Sequence, residues 1–159
     1  MSDVTAIINW RQLSEEITTS GQPTEEQLVQ LRDLGVENII NLGPHHNTGA
    51  LEDEASSVTK LGMNYIYIPV KFDNPTEEDF QAFVAALKRT TGTKSHVHCI
   101  YNARVSAFFY RLSKHSNDWN DKEMFSTMDS IWRPGGVWAK FIGDENSFSQ
   151  PNRYLGYDY

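Results

Sequence analysis

Residues 96–109 read HVHCIYNARVSAFF and hold the chain's single cysteine, Cys99, five positions before Arg104. A short apolar strand pattern precedes the sulfur and a helix-like run follows it, so residues 100–104 are expected to form the loop at a helix start. Backbone N–H groups and the positive end of the helix dipole then converge beside the sulfur, and such a spot binds anions. The same field favours thiolate over thiol. A planar guanidinium adds a fork that can hold two oxygens of one oxyanion. A lone cysteine in a strand is ordinarily a small core residue. Cys99 differs in its company: His98 stands before it, Arg104 and Ser106 follow, and no second cysteine is present to form a disulfide or a thiolate metal site. The pattern points to a nucleophilic or anion-binding cysteine, with Ile100, Tyr101, Asn102 and Ala103 as the loop that contacts the anion.

The elements that must position this loop are legible as punctuation. Thr24 with Gln27, and Thr76 with Asp79, read as N-caps, the first as a capping box and the second as a looser acidic version. The runs EEQLVQLRDLG and EEDFQAFVAALKR follow; the first stops at Gly35, and the second sets Phe80, Phe83, Val84 and Leu87 on one face. Strands are expected near 17–20, 37–42, 65–70 and 96–99, with a further helix over 51–61. RVSAFFYRLSKH, NDKEMFSTMDSIW and VWAKFI read as helices, the last two parted by a turn at Pro134-Gly135-Gly136. Strands alternating with helices predict one α/β domain over 1–159, with a small, mostly parallel sheet flanked by helices on both faces. Residues 144–159 read as a polar, aromatic tail docked on the body.

Ligands of open α/β sheets bind beyond the carboxyl ends of the strands. Four loops are expected there: Ser20–Pro23, Gly43–Asn47, Lys71–Asn74 and the segment after Cys99. Gln22, His45, His46, Lys71 and His98 are the candidate pocket rim. Asp73 is the leading candidate for a general acid that protonates a departing alkoxide or phenoxide; its alternative is a solvated loop carboxylate. Glu78 and Asp79 are fallbacks, although Asp79 is explained by capping. Ser106 either donates to the thiolate or aligns water, or only bonds the helix backbone.

Composition bounds the rest. The chain has 159 residues, enough for a single core, and its 39% hydrophobic and 12% aromatic content is that of a folded globule. A net charge of −7 argues against a nucleic-acid surface, so any phosphorylated ligand needs a local positive pocket. No apolar run is long enough to span a membrane. One cysteine suits a reducing compartment, and a cytoplasmic location is the expectation; export stays open if the native start lies upstream of Met1. His45, His46, His96 and His98 follow no zinc-ligand spacing, so neither metal nor cofactor is expected. Oligomeric state is undetermined.

The stretches SGQPTEEQLVQLRDLGVENIINLGP, Asp53-Glu54-Ala55, GMNYIYIPVKFDNPTEEDFQAF, HCIYNARVSAF and IWRPGGVWAKFI resemble the bacterial beta-lactamase hydrolase-like protein phosphatase family, relatives of dual-specificity and tyrosine phosphatases. The resemblance covers about residues 10 to 143. It implies a cysteine-phosphatase-like α/β fold and a cysteinyl-phosphate intermediate. Cys99 then matches the nucleophile, Arg104 the phosphate-binding arginine, Ser106 the hydroxyl after it, and Asp73 falls where a general-acid loop would lie.

One departure bears on function. Tyrosine phosphatases carry His-Cys-x5-Arg, whereas here Cys99 and Arg104 enclose four residues, and Val105 occupies the usual arginine slot. The loop lacks glycine, and Asn102 is the residue best able to take a left-handed conformation there. A Cys-x4-Arg loop also resembles that of rhodanese-like sulfurtransferases, which carry a persulfide. Three functions are therefore weighed: a phosphatase first, a Cys99-persulfide sulfurtransferase second, and an inactive phosphate-binding domain third. In each the partner is a phosphorylated substrate or a small oxyanion.

Overall fold

The computed structural model describes residues 3–154. In chain order the elements are β1 (Arg11–Gln12), β2 (Ile17–Ser20), α1 (Glu25–Asp33), β3 (Val36–Asn41), α2 (Glu54–Lys60), β4 (Asn64–Tyr67), α3 (Glu77–Arg89) and β5 (Lys94–His98). They continue with α4 (Ala103–Ser113), α5 (Asp121–Asp129), β6 (Trp132–Arg133), α6 (Gly136–Ile142) and β7 (Arg153–Tyr154). The main sheet runs β1-β2-β5-β3-β4. β2, β5, β3 and β4 pair in parallel, and only the edge strand β1 is antiparallel. The expected α/β domain with a mostly parallel sheet is thus the fold.

Helices cover both faces because successive strand residues point to opposite sides. In β3, Ile39 joins a cluster with Leu28 and Leu31 of α1, Val58 of α2 and Met63. Its neighbour Ile40 joins the larger cluster on the other face, built on Phe80 and Phe83 of α3, Phe108 and Phe109 of α4, and Trp138 of α6. Phe83 has no exposure and meets Phe108 and Phe109 edge-on at 5.3 and 5.0 Å. Truncating such a side chain to alanine costs about 3–5 kcal/mol.

Both helix starts are reciprocal capping boxes. Thr24 caps Gln27 N–H while the Gln27 side chain returns to Thr24 N–H, and Thr76 and Asp79 do the same, so the acidic version is as complete as the first.

Four boundaries differ from the sequence reading. Hydrogen bonding carries the β4 path to residue 70, since Ile68 N–H donates to Asn41 O and Val70 N–H to Leu42 O; Pro69 between them has no donor, and the regular strand ends at Tyr67. The helix expected over 51–61 starts only at Glu54, because the Asp53 side chain caps Ser56 N–H. α4 opens at Ala103, one residue before Arg104. α5 stops at Asp129, and Trp132, expected in that helix, forms a two-strand sheet with Tyr154 and stacks on it at 5.7 Å. That pairing brings part of the 144–159 tail onto the body; its residues 155–159 lie outside the described residues.

Candidate active site

Cys99 follows β5, the strand flanked by β2 and β3, and is 1% exposed. The residues after it form a loop whose carbonyls are all accounted for. Cys99 O accepts from His98 Nδ1 at 2.9 Å. Ile100 O accepts from Gln22 N–H at 3.0 Å. Tyr101 O accepts from Asn9 Nδ2 at 2.9 Å, and Asn102 O accepts from Ser106 N–H at 3.1 Å. In a trans peptide each carbonyl points opposite to the next residue's N–H. The N–H groups that follow these carbonyls therefore face away from His98, Gln22 and Asn9. Among the described residues, the N–H groups of Ile100, Asn102, Ala103, Arg104 and Val105 donate to no protein acceptor. A cluster of such donors at a helix start attracts an anion.

Two residues make this loop geometry possible. Asn102 takes φ 71°, the left-handed turn into α4, and its buried amide donates to Asn9 O at 2.9 Å and Thr19 Oγ1 at 3.1 Å. Short polar side chains tolerate that conformation better than others. Gly21 is required for close approach, because a Cβ there would stand 2.5 Å from Ile100 O.

Arg104 sits in the first turn of α4, 5% exposed. Its Nη1 donates to Val70 O at 2.9 Å and Asn47 Oδ1 at 3.0 Å, and its guanidinium carbon lies 5.5 Å from the centre of the Phe72 ring. Its Nε is buried and has no hydrogen-bond partner among the described residues. Phe72, Cys99, Tyr101, Ala103, Arg104 and Tyr154 line a cavity of about 380 Å³. A larger groove of about 1170 Å³, walled by α3 and the α4–α5 connection, contains neither cysteine nor arginine in its lining.

The expected loops do converge. Gln22 reaches Ile100, and Asn47 and Phe72 reach Arg104. The proposed acid and rim residues divide. Asp73, Lys71 and His46 are exposed, and none of them lines the cavity, although Asp73 directly follows Phe72, which does. His45 is held on the β4 side: its ring stacks on Tyr67 at 3.8 Å and its Nε2 meets Tyr65 OH at 2.7 Å. Burial, with the Glu54 charge behind it, pushes the Tyr65 hydroxyl well above the ordinary phenol range. Ser106 Oγ donates to Ala103 O at 3.0 Å and accepts from Trp132 Nε1 at 3.2 Å, the backbone-bonded of its two alternatives. Glu78 is exposed and Asp79 caps α3.

Beside the loop lies a polar cluster that joins His98 and Gln22, both read from the sequence as pocket-rim candidates, to Glu54, which the sequence reading did not assign. His98 Nε2 and Glu54 Oε2 are 2.6 Å apart, with side chains 0% and 1% exposed. Gln22 Nε2 donates to Glu54 Oε1 at 2.6 Å. Burial works to raise the Glu54 carboxyl, but the charge and hydrogen bond of His98, aided by Gln22 and His45, outweigh it and hold Glu54 below the ordinary carboxylate value. His96, on the same strand face, stacks on His98 at 6.3 Å and on Trp10 at 5.6 Å. Its nitrogens meet the Thr18 and Ser20 hydroxyls, each at 2.7 Å. Because Ser20 Oγ donates to Gly21 O, His96 Nε2 must carry the proton and Nδ1 must accept from Thr18. Burial first, then the charge of His98, push His96 well below the ordinary imidazole value. The Asp53-Glu54-Ala55 run was the only sequence signal for Glu54. Among the described residues no three His, Cys, Asp or Glu side chains gather as a metal set, and no helix is long and apolar enough to cross a membrane.

A parallel sheet that delivers a cysteine into an N–H-lined loop, with an arginine on the following helix turn, is the architecture of cysteine-phosphatase-like proteins. Two crystal structures of a DUF442 phosphatase-like protein from Shewanella putrefaciens CN-32 match the chain. One is 34% identical with a TM-score of 0.76, covering 89% of this chain and 93% of that one; the other is 37% identical with a TM-score of 0.71, covering 78% and 80%. The core catalytic domain of the S. cerevisiae PP-IP phosphatase SIW14, solved with citrate, shares the fold at 14% identity, with a TM-score of 0.69 over 91% of this chain and 90% of that one. A "Beta-lactamase hydrolase-like protein" from Xylella fastidiosa is 31% identical over 105 residues, which are 64% of this chain and 24% of that protein. The chain thus spans about a quarter of the length of the curated relatives it matches. No family model matches it. The chain belongs to the DUF442 family of phosphatase-like proteins, the family resemblance read from its loops and helix starts.

Proposed function

We propose that this protein is a cysteine-dependent phosphatase that hydrolyses a phosphate monoester through a cysteinyl-phosphate intermediate. The observation that carries the reading is the carbonyl arrangement of the cysteine loop. His98, Gln22 and Asn9 each draw one carbonyl outward, which leaves the N–H groups of Ile100 and Asn102 for an oxyanion on the other side. Arg104 supports it, since both of its hydrogen bonds to described residues leave from Nη1 and its buried Nε is unspent. In the first step the Cys99 thiolate forms a bond to phosphorus as the ester oxygen departs with the bonding pair, taking a proton from an acid for which Asp73 is the candidate. In the second step water attacks the same phosphorus, the S–P bond breaks, and thiolate and inorganic phosphate are released.

A sulfurtransferase is the second reading, favoured by one observation: Cys99 and Arg104 enclose only four residues, and Phe72, Tyr101 and Tyr154 wall the cavity. A persulfide places a single extra sulfur atom there and needs no acid for an alkoxide. Hydrolysis of an activated aryl phosphate, measured as phosphate release, tests the choice. The phosphatase reading expects slow turnover that is inhibited by phosphate-like oxyanions and abolished in Cys99→Ser. Thiosulfate-dependent sulfur transfer without phosphate release would replace it with the second reading. Oxyanion binding with neither activity would leave a binding domain.

A further inference from the structure

We propose that Tyr154 is a specificity-determining residue: the C-terminal segment carries its ring into the wall of the cysteine cavity, which then selects a single phosphoryl group borne on a flat apolar ring and rejects multiply phosphorylated ligands. The inference deepens the proposed function and rests on the cysteine loop being the anion site.

The wall is assembled from distant parts of the chain. Tyr101 lies in the cysteine loop, Phe72 on the chain leaving β4, and Tyr154 at the end of β7. Trp132 of β6, 1% exposed, backs two of the three: Tyr154 stacks on it at 5.7 Å with the ring planes 14° apart, and Phe72 meets it at 5.6 Å. Tyr154 in turn meets Tyr101 edge-on at 6.1 Å. Trp132 Nε1 donates to Ser106 Oγ at 3.2 Å, so the ring that seats Tyr154 is tied to α4, the helix that carries Arg104. The path of the segment depends on Gly135. A Cβ there would stand 2.1 Å from Gln150 O and 2.5 Å from Pro151 O, and Gly135 N–H donates to Asn152 Oδ1 at 2.9 Å, two residues before Tyr154.

The lining decides what fits. Among the described residues that wall the cavity, Arg104 is the sole cation, set among three aromatic rings. The volume of about 380 Å³ is at the small end of small-molecule sites, which span about 300–1,000 Å³. A phosphoryl group held by the loop N–H groups and Arg104 therefore leaves its substituent against ring faces and edges. An aromatic substituent gains there beyond the area it buries. A second phosphate would be desolvated against the same rings with no cation beside it, and burying an unpaired charge is costly.

Phenylphosphonate and methylphosphonate share a head group and are not turned over, so their dissociation constants, measured by calorimetry, read the wall without catalysis. The wild-type protein is expected to bind the phenyl compound about tenfold tighter, and inositol hexakisphosphate no tighter than the methyl one. Tyr154→Ala is expected to cut the phenyl preference to about threefold or less while methylphosphonate affinity stays nearly unchanged. Tyr154→Phe should keep the preference, and Gly135→Ala, which displaces the segment and leaves the ring in the chain, should lose it. A variant that weakens both phosphonates alike gives Tyr154 a structural role only and overturns the proposal. If the alanine variants do not fold, the wild-type protein decides: equal affinity for the two phosphonates, or tighter binding of inositol hexakisphosphate than of phenylphosphonate, overturns it. The predicted preference in a protein that releases no phosphate from aryl esters would instead overturn the phosphatase reading and leave the role of Tyr154 standing. Phosphate release with no phenyl preference would do the reverse.

Discussion

Arg104 Nη1 donates to the Val70 carbonyl at 2.9 Å, a bond that ties the first turn of α4 to the chain leaving β4. Together with Asn47 it fixes the guanidinium through one nitrogen, so the buried Nε is held in place without being consumed. Arg104→Lys keeps the charge and loses the fork. Turnover of an aryl phosphate is expected to fall roughly 100- to 1000-fold, with phosphate inhibition weakened in parallel. Steady-state kinetics with a phosphate inhibition series check this, and a loss below tenfold would mean that Arg104 only braces the loop.

Asp73 is exposed and follows a residue of the cavity wall. If it delivers the proton to the leaving group, Asp73→Asn should slow esters of poor leaving groups roughly 100-fold and leave those of good leaving groups nearly unchanged. A series of aryl phosphates of graded leaving-group acidity reads the difference. Equal effects across the series would return Asp73 to a solvated loop residue.

Asn102 combines a left-handed backbone with two hydrogen bonds that reach Asn9 and Thr19. Asn102→Ala is expected to destabilise the fold by about 2–4 kcal/mol, from the backbone conformation and the lost bonds together. Asn102→Gly should cost less, because glycine tolerates the same φ. Urea unfolding of the two variants gives the comparison, and equal losses would deny the backbone contribution.

Much of this site was legible because it is local. The caps at Thr24 and Thr76, the strand before Cys99 and the left-handed residue before α4 are each announced within a few positions, and the alternation of strands and helices fixes which loops share the sheet edge. What was hidden depends on distance along the chain. Glu54 meets His98 across 44 positions, and no local pattern tells a buried carboxylate from a solvated first-turn glutamate. Trp132 continued a helical periodicity, yet Tyr154 drew it into a strand pair. The helix lost to a tertiary contact that the sequence does not print.

Two buried groups set the acid response of the fold. His96 is held well below the ordinary imidazole value of 6.5, so between that value and its folded one the unfolded chain binds more protons and stability falls as pH falls. Glu54 is held below the ordinary 4.5, so its contribution is complete above that pH and is lost on further acidification. Urea midpoints are expected to decline from about pH 6.5 downward, and more steeply below about 4.5. His96→Gln should flatten the upper part of the decline; an unchanged slope would mean that His96 is not the group responsible.

The most direct test of the central claim is the covalent state of Cys99 during turnover. Intact mass spectrometry of acid-quenched protein, mixed in one arm with an activated aryl phosphate and in the other with thiosulfate, separates the two chemistries by the group added. A phosphoryl adduct that localises to Cys99, appears only in the first arm and is absent from Cys99→Ser is the predicted result. A sulfur adduct on Cys99 in the thiosulfate arm, with no phosphoryl adduct in the other, would contradict it.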